Sequence, residues 1–198
     1  LDDMDLKKQL LSKKIPSKIK AITLEKIDEM KNSNSDYYKQ LTFVKSIIRY
    51  PWNTNDTFYE TLNKNKEKSK KYLDNIESKL TKLTYGHKDA KDRLLKVVGK
   101  WISNPSSNGT SIGIWGPPGV GKTLLAKSVS KVLDIPFVQI NLAGHNDGEI
   151  LHGHGYTYSG SQPGLIVKKM IEANKNRCIM YFDELDKACS KHGSTNEI

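Results

Sequence analysis

The chain has 198 residues, 36% of them hydrophobic and 27% charged, with a formal net charge of +10. That length holds one full domain or one and a part, and no run approaches the roughly 18 uninterrupted apolar residues of a membrane span. Two cysteines, Cys178 and Cys189, are too few for a disulfide framework and point to a reducing compartment.

The opening residues, Leu1-Asp2-Asp3-Met4-Asp5, are acidic and carry no hydrophobic signal core, so nothing in them targets export. They also lack an initiator Met, so residue 1 is not expected to be a natural start. The charge is uneven: residues 1–108 hold 23 Lys and Arg against 14 Asp and Glu, while residues 109–198 hold 9 against 8. The surplus is nearly all lysine on helical faces. It can attract a phosphate backbone, but without arginine clusters or interleaved aromatics a solvated helix surface is the favoured reading.

Residues 1–14 read as the end of a helix closed off by Pro16. A second helix follows with Ile19, Ile22, Ile27 and Met30 at helical spacing, running out in Asn32-Ser33-Asn34-Ser35. Ser35 suits the N-cap of a third, in which Tyr37, Leu41, Val44 and Ile48 repeat at a coiled-coil-like rhythm until Pro51. These apolar stripes are narrow, so the helices pack on each other or on another subunit. Pro51-Trp52-Asn53 opens a polar connector, and the lysine-rich residues 64–71, poor in apolar side chains, are expected to be mobile. A helix carrying Tyr72, Ile76, Leu80 and Leu83 leads to Tyr85-Gly86-His87. Another carries Ala90, Leu94, Val97, Val98 and Trp101 and ends in a loop over 104–109.

Beyond residue 109 strands alternate with helices: strand 111–115, helix 121–133, strand 137–141, helix 163–174, strand 178–182. Alternation of this kind implies an α/β fold, a parallel sheet flanked by helices with right-handed crossovers and ligands at the strand carboxyl ends. Residues 144–164 form a long glycine-rich stretch with little to bury, the kind of loop that is functional or disordered.

The strand and helix around residue 116 frame Gly116-Pro117-Pro118-Gly119-Val120-Gly121-Lys122-Thr123, a match to the phosphate-binding loop G-x-x-x-x-G-K-[ST]. Glycines let backbone N–H groups crowd around phosphates, and the helix N-terminus adds a favourable dipole. The cofactor-binding set is therefore Pro117, Pro118, Gly119, Val120, Gly121, Lys122, Thr123 and Leu124. Lys122 is expected to reach the β- and γ-phosphates of ATP and act catalytically there, with the Thr123 hydroxyl on Mg²⁺.

The apolar strand Cys178-Ile179-Met180-Tyr181-Phe182 ends in Asp183-Glu184, 61 residues after Lys122 for the first acid. Asp183 is expected to hold Mg²⁺, mostly through water, and Glu184 to orient and deprotonate the attacking water. An acid pair rather than a lone Asp argues for hydrolysis over transfer to a metabolite. Asp186 and Lys187 read equally as a surface ion pair. His145, His152 and His154 invite a zinc reading, disfavoured because no Cys or carboxylate stands at ligand spacing. Cys178 reads as a small core residue.

These stretches together resemble the AAA+ ATPases, and within them the ATP-dependent Lon proteases, from about residue 16 onward. Tyr50-Pro51-Trp52-Asn53 is similar to the element where the Lon helical neck meets the ATPase module. Tyr85-Gly86-His87 resembles the Tyr-Gly step that lines the adenine pocket, which implies Tyr85, Gly86 and His87 as cofactor contacts. Most specific is the run from Gly153 to Gly164, similar to the Lon pattern Gly-His-Arg-Arg-Thr-Tyr-Ile-Gly-Ala-Leu-Pro-Gly. The resemblance implies a loop lining the pore of a homo-hexamer, with Tyr158, Ser159 and Gly160 gripping unfolded or misfolded protein substrates. This chain has Gly155-Tyr156 in place of Arg-Arg and Ser159 in place of an aliphatic, so its grip is expected to differ.

The organisation implied is a helical neck region over 1–50, a connector and linker helix over 51–83, and an incomplete AAA+ large subdomain over 84–198. The family's Ser–Lys dyad, sensor segments, arginine finger and lid have no counterpart in these residues. The location implied is cytoplasmic, with a mitochondrial matrix or a virus-infected cytosol also fitting. An alternative from another class is a nucleic-acid motor, helicase or clamp-loader-like, which shares both nucleotide motifs. A third is a helical assembly module with a degenerate ATPase, against which Lys122, Thr123, Asp183 and Glu184 stand intact.

Overall fold

The structure, a computed structural model, describes residues 3–30, 36–52, 57–107, 109–143, 149–153 and 162–187. Its helices are α1 (Asp3–Ser12), α2 (Ser17–Glu29), α3 (Tyr37–Arg49), α4 (Phe58–Asn63), α5 (Lys66–Leu83), α6 (Lys88–Ser103), α7 (Lys122–Leu133), α8 (Glu149–His152) and α9 (Leu165–Ala173). The strands are β1 (Phe137–Asn141) and β2 (Ile179–Asp183), followed by a single 3₁₀ turn over Leu185–Lys187. Packing groups the chain into two compact units, one of Leu1–Thr54 with Phe137–Ile198 and the other of Asn55–Pro136.

In the first unit, Leu6 and Leu10 lie one turn apart on α1 and meet Ile27 of α2, Met30 at its C-cap, and Val44 and Ile48 of α3 in one core. Pro16 takes φ −53 and ψ 136 ahead of α2, a conformation its ring presets. The stripe of α2 is turned from the expected one. Ile22 is 39% exposed, whereas Thr23 is fully buried and its Oγ1 donates to the Ile19 carbonyl at 2.7 Å. Positions 19, 23 and 27 share a face, and that bond lets a threonine occupy it. Ser35 lies outside the described residues; the capping position of α3 is Asp36, with no side-chain cap bond. After α3, Trp52 packs against the core and donates Nε1 to the Ile47 carbonyl at 2.7 Å.

The same unit holds the sheet. β1 and β2 pair in parallel, Phe137 opposite Ile179 and Asn141 opposite Asp183. Ile140, Leu142 and Leu151 form a second core with Leu165, Ile166 and Met180 against it. Leu151 shows that the stretch over 144–164 is not all loop: α8 buries a leucine. Gly153, at φ 86, forms an isolated antiparallel bridge with Pro163. A Cβ on Gly164 would stand 2.1 Å from the Leu151 carbonyl oxygen, so only glycine fits that approach.

In the second unit α4 to α7 bury Tyr59, Leu62, Ile76, Leu80, Val98, Ile102 and the inner face of α7. The lysine-rich residues are helical rather than mobile, because α5 begins at Lys66. Asn65 accepts from the Lys68 N–H at 3.0 Å, and Glu67 pairs with Lys71 at 3.0 Å. Once Tyr72, Ile76 and Leu80 anchor the helix, each added turn costs no new nucleation. The expected strand over 111–115 does not form among the described residues. Ile112 and Ile114 are each 38% exposed, and the described residues of the sheet are those of β1 and β2. An apolar run becomes a strand only where a neighbouring backbone takes its N–H and C=O groups.

Candidate functional site

The phosphate loop leads directly into α7, whose inner face of Leu125, Ala126, Val129, Val132 and Leu133 is buried and fixes the helix. Gly121 caps α7 at φ 89 and Gly119 sits at φ 78, left-handed backbone that side-chain-bearing residues avoid. No side chain caps α7, and a helix N-terminus left open in this way is the arrangement that receives an anion. The Lys122 ammonium folds back into the loop and donates to the carbonyls of Gly116 at 2.7 Å and Pro117 at 2.8 Å. Thr123 is half-buried, while Pro117, Pro118, Val120 and Leu124 are exposed. Trp115, one residue before the loop, is 99% exposed.

Residues 84–87 run beside this loop. Thr84 is buried, and its hydroxyl donates to the Ser128 hydroxyl of α7 at 3.0 Å. Lys91 is buried to 8% exposure with its amine on the Thr84 carbonyl. Gly86 and His87 take successive left-handed conformations, φ 68 and φ 54. His87 Nε2 reaches the Val120 carbonyl at 2.8 Å, which brings the Tyr-Gly-His step to the phosphate loop. The Tyr85 ring is 99% exposed, at the mouth of a cleft of about 360 Å³ lined by Thr81, Thr84, Gly86, Lys88 and Lys91.

The acid pair belongs to the other unit. The parallel register puts Asn141 beside Asp183, and strand alternation puts Gln139 on the same side as Asn141. Gln139 Nε2 donates to Asp183 Oδ2 at 3.0 Å, and the Glu184 N–H donates to Asp183 Oδ1 at 3.0 Å. The Tyr181 hydroxyl also donates to Asp183 Oδ1 at 3.4 Å, so three hydrogen bonds orient this carboxylate. Glu184 sits at φ 55, and its carboxylate accepts from Lys187. That hydrogen bond holds the Glu184 carboxyl below the usual range against partial desolvation, aided by the Lys187 charge and the Asn141 amide. The same bond, with the Glu184 charge, raises Lys187. Lys187 is therefore the partner of Glu184, not simply of its neighbour Asp186. Gln139, Asn141 and Lys187 were missed from the sequence. Polar residues two apart at a strand's carboxyl end were the available signal, but it needed the strand register to be read.

Tyr158, Ser159 and Gly160 lie outside the described residues, as do His145, His154 and Cys189. Among the described residues no three His, Cys, Asp or Glu gather as a metal centre. Cys178 is half-buried and free, its Sγ 3.5 Å from Met170 Sδ, and burial pushes its thiol up from the ordinary value. A larger cavity of about 480 Å³ in the first unit, lined by Phe43, Ile47, Trp52, Pro163 and Val167 among others, contains none of the expected site residues. No helix among the described residues is long and apolar enough to cross a membrane.

The family described as "ATPase family associated with various cellular activities (AAA)" matches residues 112–198. The chain is 41% identical over 201 residues to a "Lon protease homolog" of Acanthamoeba polyphaga mimivirus, a match covering 100% of this chain and 20% of that protein. It is 34% identical over 184 residues to a "Lon protease" of Fusobacterium nucleatum, covering 92% of this chain and 22% of that one. It is 30% identical over 199 residues to "Lon protease 2" of Borreliella burgdorferi, covering 99% and 24%. The chain thus spans about a fifth of the length of the curated relatives it matches. An ATPase family matched across the second half, and Lon proteins matched along nearly all of this chain, lead to one conclusion: the chain belongs to the AAA ATPases of the Lon type.

Proposed function

We propose that this chain binds ATP and hydrolyses it as the motor of an ATP-dependent protease that unfolds and threads protein substrates. The observation that carries the reading is the loop ahead of α7: left-handed Gly119 and Gly121, an uncapped helix N-terminus and the Lys122 ammonium drawn into the turn. Each of these favours a bound polyphosphate.

In this reading Lys122 exchanges its loop carbonyls for β- and γ-phosphate oxygens. The backbone from Pro117 to Leu124 cradles the phosphates, and Tyr85 and Gly86 flank the base. The Asp183 carboxylate and Thr123 hydroxyl are hard oxygen donors of the type Mg²⁺ takes. Bound Mg²⁺ would neutralise charge developing on the phosphates. Glu184 orients the attacking water and accepts its proton, which requires the carboxylate to give up part of its bond to Lys187. Tyr158, Ser159 and Gly160 press on extended polypeptide, whose backbone offers the same surface whatever its sequence. We further propose a homo-hexamer for the whole protein, a cytoplasmic location, and the three-part division into neck, connector and AAA+ subdomain.

Isothermal titration with ATP tests the assignment. Lys122→Ala removes a charge that acts in ground and transition states alike, so binding is expected to be lost. Glu184→Gln removes only the group acting on water, so binding persists while phosphate release stops. Tight ATP binding by the Lys122 variant would sink the reading.

A further inference from the structure

His87 stands at the N-cap of α6, where Ser, Thr, Asp or Asn would bond the helix's own first turn, yet its side chain makes no such bond. Its Nε2 instead lies 2.8 Å from the Val120 carbonyl, one residue before the glycine that caps α7. A carbonyl only accepts, so Nε2 carries the proton and donates. To reach that position the His87 backbone takes φ 54. A left-handed non-glycine residue persists only where its surroundings hold it. Here the Lys91 N–H bonds the His87 carbonyl at 3.0 Å, the Lys91 amine sits on the Thr84 carbonyl, and Thr84 is tied to Ser128 of α7 at 3.0 Å. Residues 84–87 are therefore stapled twice, to the body of α7 and to the loop in front of it. A Cβ added to Gly121 would meet the same ring nitrogen at 3.8 Å, so the imidazole closes the loop from the side at its capping glycine.

We infer that His87 is a positioning residue of the phosphate loop rather than a contact to the adenine. It keeps the Val120 oxygen committed to the imidazole, so the N–H groups that follow, and not a carbonyl, are what the polyphosphate meets. This rests on the nucleotide reading above and adds the part of the ligand that feels His87. The effect belongs to the phosphates and is blind to the base.

The test titrates the full 198-residue chain, His87→Ala and His87→Gln with the Mg²⁺ complexes of ATP, GTP and inorganic tripolyphosphate. Tryptophan fluorescence reports binding, because Trp115 is exposed one residue ahead of the loop. His87→Ala is expected to weaken all three ligands by a common factor of about tenfold, the scale of one hydrogen bond. His87→Gln, whose amide can donate to the same carbonyl, is expected to recover most of it. Weakening confined to ATP would make His87 a base contact and overturn the inference. So would unchanged affinities, or a loss that Gln does not recover and that a lowered melting temperature accompanies. Failure of the unsubstituted chain to bind any of the three would instead remove the nucleotide reading, and this inference with it.

Discussion

At Glu184 the backbone takes φ 55 and the carboxylate accepts from Lys187 three residues on. An exposed pair of this kind adds little to stability, so its consequence lies in titration. The folded carboxyl is held below its ordinary value, chiefly by that hydrogen bond. Its contribution is therefore present above the unfolded value and is lost as pH falls through the folded one. Lys187→Met is expected to move the Glu184 titration up toward the ordinary carboxylate range, followed by carbon-13 NMR of the side-chain carboxyl; a curve that does not move would show the pair is not formed in solution. The places of Lys122 and Thr123 at the start of α7, and of Asp183 and Glu184 at the end of β2, could be read from the sequence, because a contiguous motif encodes the loop and an apolar strand delivers the acids. Lys187 as the partner of Glu184 could not, since the same spacing suits an exposed lysine on any turn.

At the scale of elements, α5 is where composition misled. Residues 64–71 lack apolar side chains, yet Asn65 caps them and the anchored half of the helix carries them along. Asn65→Ala is expected to cost about 1 kcal/mol, the usual worth of an N-cap, read as a lower urea midpoint with unchanged slope. No change in midpoint would mean the first turns are not helical in solution. The α2 stripe shows a related limit: Ile22 and Thr23 differ by one position, and apolarity favoured the wrong one because the Thr23 bond to Ile19 is not visible in composition. The run at 111–115 has strand-forming residues and no ladder among the described residues, so propensity there had nothing to act on.

For the whole molecule, the net charge of +10 left a nucleic-acid motor in play. The function proposed above takes polypeptide, not nucleic acid, as the substrate. In a protein that includes this chain, unfolded casein is expected to raise ATP turnover severalfold, whereas duplex DNA at near-physiological salt leaves it at the basal rate. Stimulation by DNA that fades steeply with salt would reverse that assignment.

What the sequence determined by itself was whatever depends on neighbours along the chain. The phosphate loop and its helix, the order of helices around it, and β1 over residues 137–141 all follow from spacing, glycine and apolar period. The tertiary structure alone decided what depends on segments far apart. It paired Gln139 with Asp183 across the β1–β2 register, carried the His87 imidazole 33 residues along the chain to Val120, and left residues 111–115 without a partner strand among the described residues. A side chain's identity sets which bonds it can make, but only packing brings the other half of the bond within reach.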